Sequence, residues 1–301
     1  MKKTVYIYSL LLIAAMSIKA QSTDFPKLTG PYLGQKRPGN KPELFAKDII
    51  GKNCQLHSSP VFSPDGNEVY WTEMGKGDDG IFFMKCVNNK WSPPKKFDPS
   101  PKFVCGDPFV SPDGQRLYFA AQFLPDYDEK ILYCEREKNG WSLAKSTGEE
   151  INAIDLHWQM TVNNDYDLYF HLRNEEHTSG DIYCAEYMNG SYKKPEKLGG
   201  SINTEVWEQF PYISPDGSYL IFARETPSMG YDLFISYKDN SGNWQIPLNM
   251  GKCINSRSDE LYPIVTPDGK YLFFLSVRNG ISGAYWVSAK IIEEIRAEEL
   301  K

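Results

Sequence analysis

Apolar residues in this chain come in runs of two to four, divided by polar turns, and one run–turn–run unit keeps returning. Ser63-Pro64-Asp65-Gly66 recurs as Ser111-Pro112-Asp113-Gly114, Ser214-Pro215-Asp216-Gly217 and Thr266-Pro267-Asp268-Gly269. A degenerate copy, Val162-Asn163-Asn164-Asp165, fills the double interval. With Asn164 in the Asp column the spacings are 48, 51, 52 and 52 residues. Apolar runs flank each turn, Ser59-Pro60-Val61-Phe62 before the first and Val69-Tyr70-Trp71 after it. Pro presets φ, Asp bonds the local backbone and Gly accepts positive φ, so each unit predicts a tight hairpin. A third run follows about ten residues later, as in Ile81-Phe82-Phe83 and Ile131-Leu132-Tyr133. The fourth carries a proline, as in Trp91-Ser92-Pro93 and Trp244-Gln245-Ile246-Pro247. A missing donor does no harm on an edge strand.

Four strands per unit at this period describe a propeller blade. The fold expected is all-β: a five-bladed β-propeller of four-stranded blades over residues 42–290. The fifth unit has only three strands of its own, from about Tyr262 to Ser288. Pro42-Glu43-Leu44-Phe45 resembles the fourth-strand segment Pro195-Glu196-Lys197-Leu198. It is therefore expected to close the ring as an N-terminal outer strand, with Leu44 near Tyr285. The tail 291–301 reads as a short amphipathic helix or a frayed end.

The N-terminus differs from the rest. Lys2 and Lys3 precede an apolar run from Val5 to Ile18, and Ala20 precedes Gln21. This is the pattern of a secretory signal peptide over residues 1–20, leaving a lead segment 21–41. A periplasmic or secreted protein is expected, with no membrane span after cleavage. The chain carries 33 Lys+Arg against 39 Asp+Glu, a net charge of −6, with no basic run. That argues against nucleic acid as a partner. Six cysteines lie after the signal: Cys54, Cys86, Cys105, Cys134, Cys184 and Cys253. None has metal-site spacing. Cys54, Cys105 and Cys253 fall in connections leading into inner strands, so Cys54 is expected to pair with one of the other two. Cys134 and Cys184 are expected to stay apart.

The unit x-Pro-x-Phe-Ser-Pro-Asp-Gly followed by an apolar-Tyr-Phe run resembles the WD40-like PD40 repeat of TolB-type propellers, over roughly residues 42–290. The resemblance implies a propeller that binds partners or ligands. TolB itself sets an α/β domain before six blades. This chain has room for neither, so interaction with Tol partners does not carry over.

Repeated turn residues serve the turn, so functional residues are sought where the repeats differ. Loops entering the inner strands and leaving the second strands share one face, around the mouth of the central channel. They bring His57, Asp107, His157, Trp158, Glu208, Glu260, Arg173 and Arg224 to that mouth. Such a set suits a ligand-binding rim for a glycan or an envelope protein. Trp158, Trp207, Phe210 and Tyr262 are available for stacking on sugars. Glu208 with Glu260 or Asp107 would alternatively be the acid and base of a carbohydrate-active enzyme. His57 and His157 with a carboxylate are residue types that bind divalent metals, although no signature motif calls for a metal or a cofactor. Nucleophile elbows, Walker loops and dinucleotide fingerprints are absent. The expectation is a monomeric binding or scaffold module, with the enzyme as the alternative.

Overall fold

The computed structural model describes residues 25–299 apart from 53, 76, 101, 124, 126, 127, 155, 174–178, 228 and 229; for 156–158, 298 and 299 it describes the backbone alone. The expected signal segment, residues 1–20, lies outside the described residues. Among the described residues five antiparallel blade sheets follow one another along the chain, with a two-stranded ribbon, Tyr187–Met188 with Ser191–Tyr192, beside the third. Each blade pairs an inner strand with a second, third and outer strand. In the second blade these are Phe103–Val110, Arg116–Phe123, Asp128–Glu137 and Lys145–Ser146. The fourth blade runs Glu208–Ile213, Tyr219–Glu225, Tyr231–Tyr237 and Leu248–Asn249. In the first blade the inner strand is split into Gln55–Leu56 and Val61–Phe62, both paired with Glu68–Met74.

The fifth blade takes its outer strand from the other end of the chain. Glu43 pairs with Trp286 and Leu44 with Tyr285. Phe45 N donates to Ala284 O at 2.8 Å, and its buried ring packs on Phe273 and Trp286, with centroids 4.9 Å away in both cases. A helix, Lys290–Glu299, follows the last strand.

The outer strands correct one expectation. The Trp-containing segments pair only at the far end of the third strand: Trp91 opposes Cys86, and Trp141 opposes Arg136. The chain then breaks and re-enters as a separate short strand, Lys95–Phe97 in the first blade and Lys145–Ser146 in the second. In the first blade Pro93 and Pro94 have no N–H to give, but the second blade breaks at the same place without a proline.

The degenerate turn is also shifted. Tyr166 N bonds Asn163 O as Gly66 N bonds Ser63 O, and Tyr166 has φ 66° where Gly66 and Gly217 have 70°. Asp165, not Asn164, therefore stands in the Asp column, and the turn is one residue shorter on its far side. A tyrosine in left-handed backbone is costly. Its hydroxyl donates to Asp113 of the neighbouring blade, and its ring lies 4.3 Å from the Arg116 guanidinium.

In the regular turns a Ser or Thr hydroxyl donates to the Asp, at 2.6 Å for Ser63–Asp65 and 2.8 Å for Thr266–Asp268. Burial raises the carboxyls of Asp65, Asp113, Asp216 and Asp268. The hydroxyl and amide donors, led at Asp268 by the Lys270 ammonium, outweigh it and hold all four below the usual range. The expected disulfide does not form. Cys54 Sγ donates to Glu73 Oε2 at 2.7 Å, Cys105 Sγ lies against Phe97 O, and Cys253 Sγ lies 2.9 Å from Asn40 O. Cys134 and Cys184 are not bridged either.

Candidate functional site

Four inner strands slip register near their start, between Gly106 and Phe109, His157 and Thr161, Gln209 and Tyr212, and Leu261 and Ile264. In three of these bulges the residue before proline takes positive φ: Asp107 at 51°, Phe210 at 54° and Tyr262 at 54°. The following proline bars the right-handed helical region, and a bulge re-aims the side chain it carries. Here the re-aimed side chains meet one another. Asp107 Oδ1 lies 3.2 Å from His57 Nδ1, and Tyr262 OH lies 3.4 Å from that nitrogen. Phe210 stacks on Tyr262 with centroids 4.0 Å apart, and His171 packs edge-on against Phe210 at 5.6 Å. Asp107, His57, Tyr262, Phe210 and His171 come from blades two, one, five, four and three. Side chains from all five blades touch in sequence only around the axis, so this cluster fills the channel at the predicted mouth. Hydrogen bonds between blades frame it: Ser59 Oγ donates to Tyr262 O at 2.6 Å, and Asp107 N to Thr72 Oγ1 at 2.8 Å.

Asp107 is buried, and burial raises its carboxyl above the usual range, opposed by His57. Burial also lifts the Tyr262 hydroxyl well above the usual phenol range, with Asp107 adding to it. Beside them Asp107 and Glu129 border a cavity of about 100 Å³. Below the cluster Gln159 Nε2 donates across to Pro263 O at 3.3 Å, joining non-adjacent blades through the channel. Its buried Oε1 has no partner.

Glu208 and Glu260 do not join this cluster. Both are fully buried within their own blades. Glu208 accepts from Thr204 N at 3.0 Å, Thr204 Oγ1 at 2.5 Å and Arg224 Nε at 2.8 Å. Glu260 accepts in the same way from Ser256 N at 2.8 Å and Ser256 Oγ at 2.6 Å, with Ser276 Oγ and Arg278 added. The arrangement is a repeated clasp whose sequence is Ile202-Asn203-Thr204 then Glu208, and Ile254-Asn255-Ser256 then Glu260. Asn203 and Asn255 in these motifs clamp the third strand through Ile182 and Leu233 backbone. In the third blade Asn152 does likewise at Ile131, but the Glu208–Arg224 register pair is replaced by Leu156 opposite Leu172. The neighbouring blade has leucines at the register place of the ion pair, so the pair reads as a fastening of the fold. Its oxygens are already committed, so acid–base work is closed to it.

Of the other predicted residues, Arg224 is the partner of Glu208, and Arg173 is exposed with its guanidinium 6.0 Å from the Trp207 ring. His157 pairs in register with His171. The side chains of His157 and Trp158 lie outside those described. Sequence reasoning missed His171, Glu129, Gln159 and Arg278. Gln159 was hidden by the shifted turn: with Asn163 in the place of Ser63, Met160 stands where other blades have Pro60, Pro108, Pro211 and Pro263, and Gln159 stands in the column of Asp107, Phe210 and Tyr262. Arg278 was disguised: Ser276 holds the register place of Arg224, and Arg278 reaches back from two residues on. Among the described residues no three His, Cys, Asp or Glu side chains stand together as a metal site.

Larger cavities lie elsewhere. An apolar one of about 160 Å³ opens on the axis at the Pro-Asp-Gly side, lined by all five blades, including Val61, Val110, Val162, Ile213 and Val265. A groove of about 660 Å³ lies between Tyr32, Asn89 and Trp91 on the same side.

No protein-family model matches the sequence, and no curated protein matches it. Solved structures share the fold. A putative TolB from Agrobacterium tumefaciens matches with TM-score 0.51 and 17% identity, over 76% of this chain and 72% of that one. TolB from Acinetobacter baumannii matches with TM-score 0.50 and 18% identity, over 78% of this chain and 52% of that one, so this chain spans about half its length. An endo-arabinase from Bacteroides thetaiotaomicron matches with TM-score 0.54 and 12% identity, over 80% and 95%.

Proposed function

We propose that the protein is an exported five-bladed propeller of the PD40 type that serves as a ligand- or protein-binding scaffold in the bacterial cell envelope, with the His57–Asp107–Tyr262 mouth as its binding face. The observation that carries this reading is how the polar groups are spent. Glu208 and Glu260 are locked in clasps, and five side chains fill the mouth. What is left is a rigid polar and aromatic surface beside a cavity of about 100 Å³. That is below the roughly 300–1,000 Å³ of small-molecule sites, and suits recognition of a surface more than enclosure of a substrate. The partly exposed His57 supplies a polar contact. Export rests on the Lys2-Lys3 start and apolar run, and Gln21 at the N-terminus of periplasmic material would support it.

One observation favours a second reading. Asp107, with a raised carboxyl, shares a cavity with Glu129, and the fold is shared with an endo-arabinase. A carbohydrate-active enzyme would use that pair. The two readings separate by experiment. The mature protein is run through arabinan- and xylan-containing native gels, and crosslinked to periplasmic extract, beside His57→Ala and Asp107→Asn. Retardation or crosslinks lost in both variants while both remain folded and melt no lower than the parent support the binding face. Release of reducing sugar abolished by Asp107→Asn favours the enzyme. Full binding by both variants refutes the choice of face.

A further inference from the structure

The charge of this protein is acidic overall, yet the fold collects cations at one place on its rim. On the fifth blade, beside the connection that leads into it, a groove of about 870 Å³ is lined by Lys41, Lys252, Arg257 and Arg278, with no carboxylate among the described residues lining it. The four cations come from the lead segment, the connection into the fifth blade and the end of that blade's second strand. They are brought together by the ring closure that pairs Leu44 with Tyr285. Arg278 is tied to Glu260 and to Ile254 O. Lys41, Lys252 and Arg257 are exposed and make no ion pair among the described residues. Elsewhere the more buried cations are partnered, Lys85 and Arg136 with Glu68 and Arg224 with Glu208, while other exposed ones, such as Lys95 and Lys102, are scattered over the surface rather than gathered in one groove.

The walls between the cations are aliphatic. Leu44 and Pro42 line one side, and Val277 and Ile281, 43% and 51% exposed, line the other. Large aliphatic side chains left bare beside unpaired cations mark an interaction surface more than a solvated face. We propose that this groove docks a segment of a partner protein that alternates acidic and aliphatic side chains. Charge complementarity selects the acid: three unpaired cations in an otherwise acidic molecule raise the local concentration of anionic segments and repel none. The choice of peptide over acidic polysaccharide rests on the walls. A uronate chain would neutralise the cations but leave Val277 and Ile281 uncovered. The one aromatic ring at the groove, Tyr285, is buried and its hydroxyl is bonded to Ile281 O at 2.9 Å, so it offers no flat face for a sugar. The outer strand Glu43–Leu44 also borders the groove as a sheet edge, which an extended peptide can follow. The site is separate from the channel mouth and stands without the reading given to it.

The test uses the mature chain and a fluorescein-labelled decapeptide alternating glutamate and valine, followed by anisotropy. Binding is expected near 0.15 M salt and is expected to fall steeply near 1 M, where the Debye length drops from about 8 to about 3 Å. Lys252→Glu with Arg257→Glu should weaken it about tenfold or more, the scale of losing charge-assisted contacts. Lys95→Glu, exposed on the first blade, should leave it unchanged. His57→Ala and Asp107→Asn should also leave it unchanged, which keeps this result distinct from the test of the mouth. No binding by the parent, or equal loss with Lys95→Glu, overturns the proposal. Tighter binding of polygalacturonate, lost in the same double variant, overturns the peptide assignment in favour of an acidic glycan.

Discussion

Removing Arg224 while leaving Glu208 in place isolates the cost of a buried carboxylate. Glu208 is fully buried, with Arg224 Nε at 2.8 Å as the partner of its charge. Burial already raises its carboxyl above the usual range, against the opposing pull of Thr204 and Arg224. In Arg224→Leu that pull loses its cationic part. Breaking one side of a buried pair costs about 3–5 kcal/mol, or roughly 10 °C in melting temperature. The carboxyl responds by holding its proton more tightly in the folded state than in the unfolded chain. The sign follows. Folding then binds a proton, so the variant is most stable below the unfolded value near 4.3, and loses stability as pH rises through the raised folded value. The slope is about 1.4 kcal/mol per unit. Parent and variant lose this stability together until pH passes the parent's own raised carboxyl, and the deficit should widen from there. The third blade shows the remedy. Leu156 opposite Leu172 fills the same register place, and Ala153 precedes them where the fourth blade has Thr204. Thr204→Ala with Glu208→Leu and Arg224→Leu rebuilds that arrangement, and should recover all but about 1–2 kcal/mol of the loss, the scale of the Ile202 carbonyl left without its donor. Urea melts at several pH values measure all of this. A single variant that loses under 1 kcal/mol, or a deficit flat with pH, would refute the clasp as a structural ion pair. It would also reopen Glu208 to chemistry.

Asp107→Asn removes a carboxyl raised by burial. The variant should be more stable than the parent above about pH 5, with the gain gone below about pH 4 where both states are protonated. The turn aspartates have the opposite sign. Asp65, Asp113, Asp216 and Asp268 are held low, so their support is present above the unfolded value and is lost as pH falls through the folded ones. Acid melts should show it, and Tyr166→Phe, which drops one donor to Asp113, should cost about 1 kcal/mol at pH 7. Ring closure is testable at Gly283, where an added Cβ would come within 2.6 Å of Leu44 Cδ1. Gly283→Ala should cost about 1–3 kcal/mol by thermal melt, and adding Leu44→Ala should recover part of it.

Much of the architecture was legible because a propeller repeats its local instructions. Ser-Pro-Asp-Gly between apolar runs dictates the same hairpin each time, and five copies state the number of blades. The Glu43–Leu44 closure followed from counting strands and finding one short. Where the local rule was broken, the reading slipped. Tyr166 was passed over for the glycine place because a tyrosine is not expected at φ 66°; only its bond to Asp113 and its seat on Arg116 make the position tenable. The cysteine pairing failed because similar places in different blades are not neighbours in space.

The candidate site was legible in part. His57 and Asp107 were expected together from their position before the inner strands, and their side chains lie 3.2 Å apart. Phe210 and Tyr262 were noticed as aromatics, but nothing in their sequence says that a bulge turns them onto the axis. Glu208 and Glu260 looked like channel groups because only their distance from the turn could be read. Their true partners, Thr204 and Arg224 or Ser256 and Arg278, depend on side-chain reach across one blade. The cationic groove had no sequence signal at all, since Lys41, Lys252, Arg257 and Arg278 are scattered along the chain. By itself the sequence determined what recurs: strand, turn, period and the strand lacking at the end. These are short-range properties of φ preference and alternation. The tertiary structure alone decided which unlike residues share a place, because that depends on how five rigid sheets are rotated about one axis and closed on themselves.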